Sequence, residues 1–443
     1  MDTLPLPPSP DLAQYRKRAK ELVAAARSSD PDAVHAWAAD WLRALAKRLD
    51  VEITPFVQGS FDRAVQHIET RVREATKEGE TSFGLSDAQF LIAQAHGFER
   101  WSEFANHVEP PLRGDAGGRT FEAAADAVVS GDLATLESLV RAHPDLVRAR
   151  SPRVHRATLL HYVAANGVED FRQRTPPDAV EIARFLLESG AAVDALAETY
   201  GGGTAQTTMN LLVSSSHPAD AGLQSPLVEL LLDFGAAING LEDDGSPLMT
   251  ALAFWYGGAA ETLARRGARI DNAVAAAGVG REDLVRRFVI DRETLASDVR
   301  FFETRWFRTP REPRAHIEMA FVTACHFGRE SIANFFLDLG VDVTARDKDE
   351  MTPLHWAAAS GMSELVRRLV ARGAPLEVKN TWGGTVLDST AYFVCFMPVP
   401  GMDYRPVMET LIAAGADVEV LREYPRGHPL IDELRRRFGM SSE

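Results

Sequence analysis

Few residues of this chain stand at spacings that support chemistry. The two cysteines, Cys325 and Cys395, are too few for a disulfide framework or a four-cysteine zinc site. Each falls at a predicted buried helix position, where a thiol packs as a small hydrophobe. His96 and His107 have no Cys, Asp or Glu at metal-ligand spacing beside them, which makes them surface or packing histidines rather than ligands. There is no phosphate-loop lysine motif, no GxSxG, no HExxH and no GxGxxG after a strand. Arg16, Lys17, Arg18 and Lys20 share a predicted helix with Glu21. That cluster reads as a solvated helix face, with a phosphate-binding patch as the alternative. No catalytic residue, cofactor or metal follows. What remains is the chemistry of recognition. Phe254, Trp255 and Tyr256 are consecutive aromatics, and Glu242 to Asp244 and Asp347 to Glu350 are acidic runs. Aromatics anchor interfaces, and acidic rims favour basic partners.

Composition narrows the classes further. The chain has 443 residues, 45% hydrophobic and 25% charged, with a net charge of -15. That is enough apolar content for two or three domains or one long repeat array. The negative balance repels phosphate backbones, so nucleic acid is an unfavoured partner. The N-terminus MDTLPLPPSPDL lacks the charged and apolar regions of a secretory signal. No run of roughly 18 apolar residues predicts a membrane span. Lysine occurs only at 17, 20, 47, 77, 348 and 379. The arginine and alanine bias suggests a GC-rich, bacterial genome and a cytoplasmic setting.

The elements that must position these side chains are clearest in Met351 to Asn380. Thr352 is a helix N-cap and Pro353 suits the first helical position. Leu354, Ala357 and Ala358 recur at helical spacing, and Gly361 ends that helix. Leu365, Val366, Leu369 and Val370 stripe a second helix, which Gly373 stops. An extended exit follows through Ala374 to Val378. Two short antiparallel helices and a turn in about 33 residues, opened by Thr-Pro-Leu-His at 352–355, resemble an ankyrin repeat. The stopping glycine recurs at Gly190, Gly235, Gly267, Gly340, Gly373 and Gly415, at intervals of 45, 32, 73, 33 and 42 residues. The intervals correspond to one or two periods, with insertions. Thr158-Leu159-Leu160-His161 nearly repeats the tetrapeptide. Thr207, Ser246, Asp271 and Met319 begin weaker first helices, Thr385-Val386-Leu387-Asp388 is the last full match, and Phe121 to Gly131 opens the array. About eight units of uneven quality result. Asp291 to Pro313 fits none of them and reads as a degenerate helix or a special loop.

The expected fold is all-α: an ankyrin-repeat solenoid with short β-hairpin fingers, preceded by a small helical bundle. Residues 1–10 are expected to be a disordered tail. Residues 11–110 form the bundle, with helices at about 11–27, 31–50 and 61–77, a Ser86–Gln89 capping box and a last helix from Trp101. The pattern from Leu85 to Trp101 resembles a helical module found ahead of ankyrin repeats in bacterial proteins. Residues 111–118 are a linker, 119–423 the repeats, and 424–443 a capping helix with a polar outer face.

The resemblance implies where a partner would bind. In the family the tetrapeptide histidine, here His161 and His355, ties neighbouring units through backbone hydrogen bonds. Asn210, Met249, Val274, Val322 and Asp388 replace it elsewhere. The family binds partner proteins with its fingers and the concave ends of its first helices. Carried over by position, the groove residues are Asn166, Ser215, Phe254, His326, Phe327, Ser360, Tyr392 and Phe393. The finger residues are Tyr200, Asp243, Asp244, Asp347, Lys348, Asp349 and Trp382. Gly201 to Gly203 would lengthen one fingertip. The aromatics either line an open strip or pack under inserted loops at 168–178 and 396–406. The function implied is a non-catalytic, monomeric protein-binding scaffold whose partner carries a basic segment. The alternative is a regulator or effector whose N-terminal module binds nucleic acid or a small molecule, with the repeats as targeting device.

Overall fold

A computed structural model describes residues 4, 6, 10–49, 55–77, 83–108, 116–169, 172–200, 204–304, 307–399 and 401–438. Most of the 1–10 tail, the linker residues 111–115, Gly201 to Gly203, Trp306 and the His107 side chain lie outside them. The chain is all-α and packs as two compact units, residues 1–237 and 238–443.

The first unit opens with five helices: α1 (Leu12–Ala26), α2 (Ala33–Arg48), α3 (Pro55–Lys77), α4 (Leu85–Ala95) and α5 (Trp101–Val108). The Asp11 carboxylate accepts from the Ala13 N–H at 2.8 Å and starts α1. Leu12, Tyr15, Ala19 and Leu22 then fall on one buried face. They share a hydrophobic core with Trp41, Val65, Ile68, Ile92, Phe98 and Phe104. The start of α4 differs from the expected Ser86–Gln89 box. Gly84 is the N-cap, and Asp87, three residues on, accepts from its N–H at 2.7 Å. Asp87 has the shorter side chain and already sits at the third helical position, so it displaces Gln89. His96 is a packing residue: its Nδ1 lies 3.0 Å from the Leu4 carbonyl, and its ring stacks on Phe104.

Helix pairs follow. In the first unit they are α6 (Ala116–Ser130) with α7 (Leu133–Ala142), α8 (Leu159–Val163) with α9 (Ala179–Glu188), and α10 (Thr208–Leu212) with α11 (Ser216–Asp220) and α12 (Gln224–Asp233). Helix α6 begins at Ala116, inside the segment expected to be linker. Strands β1 (Ala197–Thr199) and β2 (Thr204–Gln206) pair antiparallel as a finger, with Ala197 opposite Gln206. In the second unit the pairs are α13 (Ser246–Ala253) with α14 (Gly257–Arg265), α15 (Ala273–Gly278) with α16 (Glu282–Phe288), α17 (Pro313–His326) with α18 (Glu330–Leu339), α19 (Pro353–Ala359) with α20 (Ser363–Ala371), and α21 (Val386–Phe396) with α22 (Arg405–Ala413). The first helices stack in one row, α15 on α17 on α19 on α21. The second helices α16, α18, α20 and α22 stack in another. Helix α23 (Pro429–Arg437) closes the end and buries Ile431 and Leu434.

One helix start departs from expectation, and one open alternative is decided. Helix α17 begins at Pro313 rather than Met319, because the Glu312 carboxylate caps it through the Arg314 and Ala315 N–H groups at 3.0 and 2.6 Å. The irregular stretch before it is a loop, not a helix. Strands β3 (Val289–Asp291) and β4 (Thr294–Leu295) pair, and Phe302 and Thr309 then close on each other through backbone and hydroxyl hydrogen bonds. Cys325 is buried as expected, but Cys395 is only half-buried.

The tetrapeptide works as a local lock. Thr352 Oγ1 accepts from the His355 N–H at 3.3 Å. The Thr352 N–H donates back to His355 Nδ1 at 3.2 Å. With Nδ1 accepting, Nε2 carries the ring proton. Thr352→Val should therefore cost about 1–2 kcal/mol, measured by urea unfolding, whereas Thr344→Val on the exposed turn should cost under about 0.5 kcal/mol.

Candidate functional site

The second unit carries an unbroken line of aromatic contacts across four of its first helices. Trp255, at the end of α13, lies 5.1 Å from the His326 ring and 5.5 Å from Trp356. His326 lies 3.9 Å from Trp356 and 4.6 Å from Phe327. Trp356 continues to Phe393 at 6.0 Å, Phe393 to Tyr392 at 6.1 Å, and Tyr392 to Phe396 at 5.1 Å. The stacking of the first helices sets this line: Trp255, His326 and Phe393 lie toward the C-terminal ends of α13, α17 and α21, and Trp356 lies in the middle of α19. Burial, reinforced by the nearby Lys348 charge, holds the His326 pKa down to about 3. The ring is neutral at physiological pH and packs as an aromatic. A pocket opens beside it, walled by Trp255, His326 and Phe327, floored by Leu252, Val274 and Val322, and edged by Asp347 and Lys348.

The far end of the line is open. Tyr392 is 48% exposed, Phe396 53% and Met397 58%. The inserted loop after α21 extends this surface instead of covering it. Buried Tyr404 pins the loop, its hydroxyl donating to the Ala359 carbonyl at 2.9 Å and accepting from the Val399 N–H at 3.0 Å. Met402 is folded against Gly361, where a Cβ would collide with it. Exposed apolar side chains gathered in this way mark interaction surfaces.

The small polar residues expected in the groove serve another purpose. Asn166 donates to Ser214 Oγ at 2.9 Å, buried Ser215 donates to the Ala165 carbonyl at 3.2 Å, and Ser360 reaches the Cys325 and His326 carbonyls. These bonds join successive repeats, which removes the three side chains from a binding surface. Phe254 is 41% exposed but stands outside the line of rings. Its neighbour Trp255 takes the place expected for it.

The finger residues divide similarly. Tyr200 turns back against Gly167 at the first finger's tip. Asp243 pairs with Arg269 Nη1 at 2.5 Å, and Asp244 accepts from the Ser246 N–H at 2.9 Å. Asp347 organises its own finger: one carboxylate oxygen accepts from the Asp349 and Met351 N–H groups, the other from Trp356 Nε1 at 2.7 Å. Burial raises its pKa against those hydrogen bonds. These carboxylates hold the turns, so the acidic rim is less free than its sequence suggests. Trp382 is 68% exposed at a fingertip. Lys348 and Asp349 pair at 3.0 Å, and the lysine Nζ sits 4.7 Å from the centre of the Trp255 ring.

A family profile described as Ankyrin repeats (3 copies) matches residues 274–380 and again 321–421, the part that carries most of the aromatic line. This segment consists of ankyrin repeats. An ankyrin repeat-containing protein of Treponema pallidum (strain Nichols) is 28% identical over 148 residues, 31% of this chain and 46% of that protein. Potassium channel KOR2 of Oryza sativa subsp. japonica is 38% identical over 61 residues, 14% of this chain and 8% of the channel. The chain spans less than half the length of these curated relatives. A crystal structure of the human ASB11 ankyrin repeat domain aligns over 69% of this chain and 99% of its own at 20% identity, with a TM-score of 0.30. Ankyrin repeats generally serve as protein-interaction modules and are typically non-catalytic. Among the described residues no cluster could hold a metal ion, and no helix is long and apolar enough to cross a membrane.

One helix pair of the second unit departs from its neighbours. Two residues after the first helix the backbone turns left-handed, and in the α15, α17 and α19 pairs that residue is a glycine: Gly280, Gly328 and Gly361. In the α13 unit it is Trp255, at φ 69°. The cap hydrogen bonds are the same, with the Trp255 N–H on Leu252 and the Tyr256 N–H on Ala251, as the Gly361 N–H is on Ala358 and the Met362 N–H on Ala357. A bulky residue there costs on the order of 1–2 kcal/mol. Tryptophan's packing against His326 and Trp356 offsets that cost.

The first unit holds a second constellation, one of buried charge. Arg153, 2% exposed, places its guanidinium against Glu122 at 3.2 Å and Glu169 at 3.0 Å. Arg172 meets Glu122 at 2.7 Å, Glu169 at 2.8 Å and Asp126 at 2.8 Å. His155 Nδ1 accepts from the Ala157 N–H, so its Nε2–H donates to Glu169 at 3.0 Å. Burial alone would raise the Glu169 pKa; Arg153, the His155 hydrogen bond and Arg172 outweigh it and hold the carboxyl ionised well below its usual range. The network fastens the 168–178 insertion to α6. Beside it the Val154 N–H donates to the Gly97 carbonyl at 2.9 Å, and Arg153 lies over the Phe98 ring, which joins the N-terminal helices to the first repeats. Each of these buried charges has an opposite partner, so the arrangement is a clamp.

Proposed function

We propose that this protein is a non-catalytic binding scaffold whose second unit holds an extended protein segment along the aromatic strip. The observation that carries this reading is the line of rings from Trp255 to Phe396, which ends in exposed Tyr392, Phe396 and Met397. Aromatic anchors with an adaptable methionine rim are the usual composition of a protein-binding surface. The groove residues under this reading are Trp255, His326, Phe327, Trp356, Tyr392, Phe393 and Phe396, with Lys348, Asp349 and Trp382 from the fingers. Residues 11–110 are proposed as a separate module that recruits or orients something else. Nucleic-acid binding by that module has little support: Arg18 pairs with Glu21 and Asp40, and Lys17 with Glu21. A cytoplasmic setting agrees with two thiols left free.

The test is the full-length double variant Tyr392→Ala, Phe396→Ala. Both side chains are exposed, so the melting temperature should stay within the range of surface substitutions, about 0.5 kcal/mol. Partner capture from native lysate should fall about tenfold or more. A large drop in melting temperature would instead identify these residues as core and end the groove reading.

A further inference from the structure

We infer that Trp255 and Asp349 form a subsite for an arginine side chain of the bound segment, and that Lys348 occupies this subsite until the segment arrives. The inference rests on the groove reading and specifies what the groove recognises. An ammonium group already lies on the Trp255 ring, 4.7 Å from its centre, with the Asp349 carboxylate 3.0 Å away. A tryptophan face and a carboxylate are the two groups that a guanidinium recognises best, by stacking and by paired hydrogen bonds. Lys348 is half exposed, so it gives up little on swinging into water. Its departure uncovers the pocket between Trp255, His326 and Phe327, whose apolar floor suits the aliphatic stem of an arginine. The other carboxylate at the edge, Asp347, stays committed to Trp356 and the finger backbone. Trp255 itself stands where other repeats place glycine. A strained backbone retained at a surface is characteristic of a binding site. The occupant is a protein segment rather than a free amino acid, because the Trp255 ring that walls the pocket is also the first ring of the line that ends in exposed Tyr392 and Phe396.

The probe is acetyl-arginine amide, with acetyl-citrulline amide as its uncharged twin and free arginine as the metabolite control. The readout is the tryptophan indole N–H resonances of the full-length protein, the Trp255 signal being the one missing from Trp255→Gly. That variant restores the glycine of the other repeats and should fold. Acetyl-arginine amide should shift the Trp255 and Trp356 signals saturably, and the citrulline compound should not. Lys348→Ala should bind roughly three- to tenfold tighter, since it removes the competing cation. Asp349→Asn and Trp255→Gly should weaken binding by a similar factor. The inference is overturned if Lys348→Ala leaves arginine binding unchanged or weaker, if citrulline binds equally, or if neither protein shows a saturable shift. Tighter binding of free arginine than of the blocked amide overturns the assignment to a protein segment. If these results are negative while Tyr392→Ala, Phe396→Ala still abolishes partner capture, the groove stands and only the arginine subsite falls.

Discussion

Replacing Glu169 by glutamine should destabilise the first unit by about 3–5 kcal/mol. The carboxylate is fully buried and answers three donors, Arg153, Arg172 and His155. Glutamine keeps the shape but removes the charge, and two guanidinium groups are then buried with only Glu122 and the exposed Asp126 to balance them. The penalty for an uncompensated buried charge is far larger than the net worth of the pair. Asp126→Asn is the matched control. Its side chain is largely exposed, so it should cost under about 1 kcal/mol. Urea unfolding of the full chain, read separately for the two units, should show the loss in residues 1–237 alone. Amide exchange at Val154, whose N–H bonds to Gly97, should accelerate in the same variant. A loss under about 1 kcal/mol for Glu169→Gln would show that the network is not a clamp.

Acid should open the two units in sequence, the second before the first. Burial pushes His316 and His355 down to about 4 and His326 to about 3 in the second unit, and His161 to about 4 in the first. Each is depressed below its unfolded value near 6.5, so the unfolded chain binds the extra protons. The stability these rings confer is complete above pH 6.5 and is lost as the pH falls from 6.5 toward 4. Fully buried His316 and His355 account for roughly 3 kcal/mol each. Protonating His355 Nδ1 would in addition abolish its bond from the Thr352 N–H. Asp347, raised by burial, opposes the trend slightly because it prefers to be protonated in the fold. Glu169 and Glu122 in the first unit are depressed carboxylates. Their contribution is present above about pH 4.5 and disappears only below it. A pH titration of unfolding free energy should therefore fall first, and more steeply, for residues 238–443. Equal slopes for both units between pH 6.5 and 4.5 would contradict the histidine assignment.

The repeats were legible because their signals are local. Thr352, Pro353, His355 and Gly361 each act within one turn of their own backbone, so sequence spacing carries the information. The aromatic strip was half legible. Tyr392, Phe393, His326 and Phe327 followed from position in the unit. Trp356 did not, because it sits beside the tetrapeptide and joins the strip only through the stacking of α19 on α17. Trp255 was visible as an aromatic but not as a residue standing in a glycine position. Ser215 and Ser360 went the other way: correct in position, yet turned to the neighbouring repeat. The ion network could not be read at all. Its members come from three separated segments, around 122, 153 and 172, and two of those look like ordinary loop charges. Only folding brings them within hydrogen-bond distance.

The paired tryptophans have an optical consequence. Trp37 and Trp41 lie 5.1 Å apart and inclined at 43° in the first unit; Trp255 and Trp356 lie 5.5 Å apart at 72° in the second. Indoles this close and this oblique couple their excited states, and each pair should give its own exciton couplet in circular dichroism. Trp37→Phe erases one couplet and Trp255→Gly the other. The wild-type protein thus carries a built-in chiral reporter in each unit, and no label is needed to tell which unit has melted.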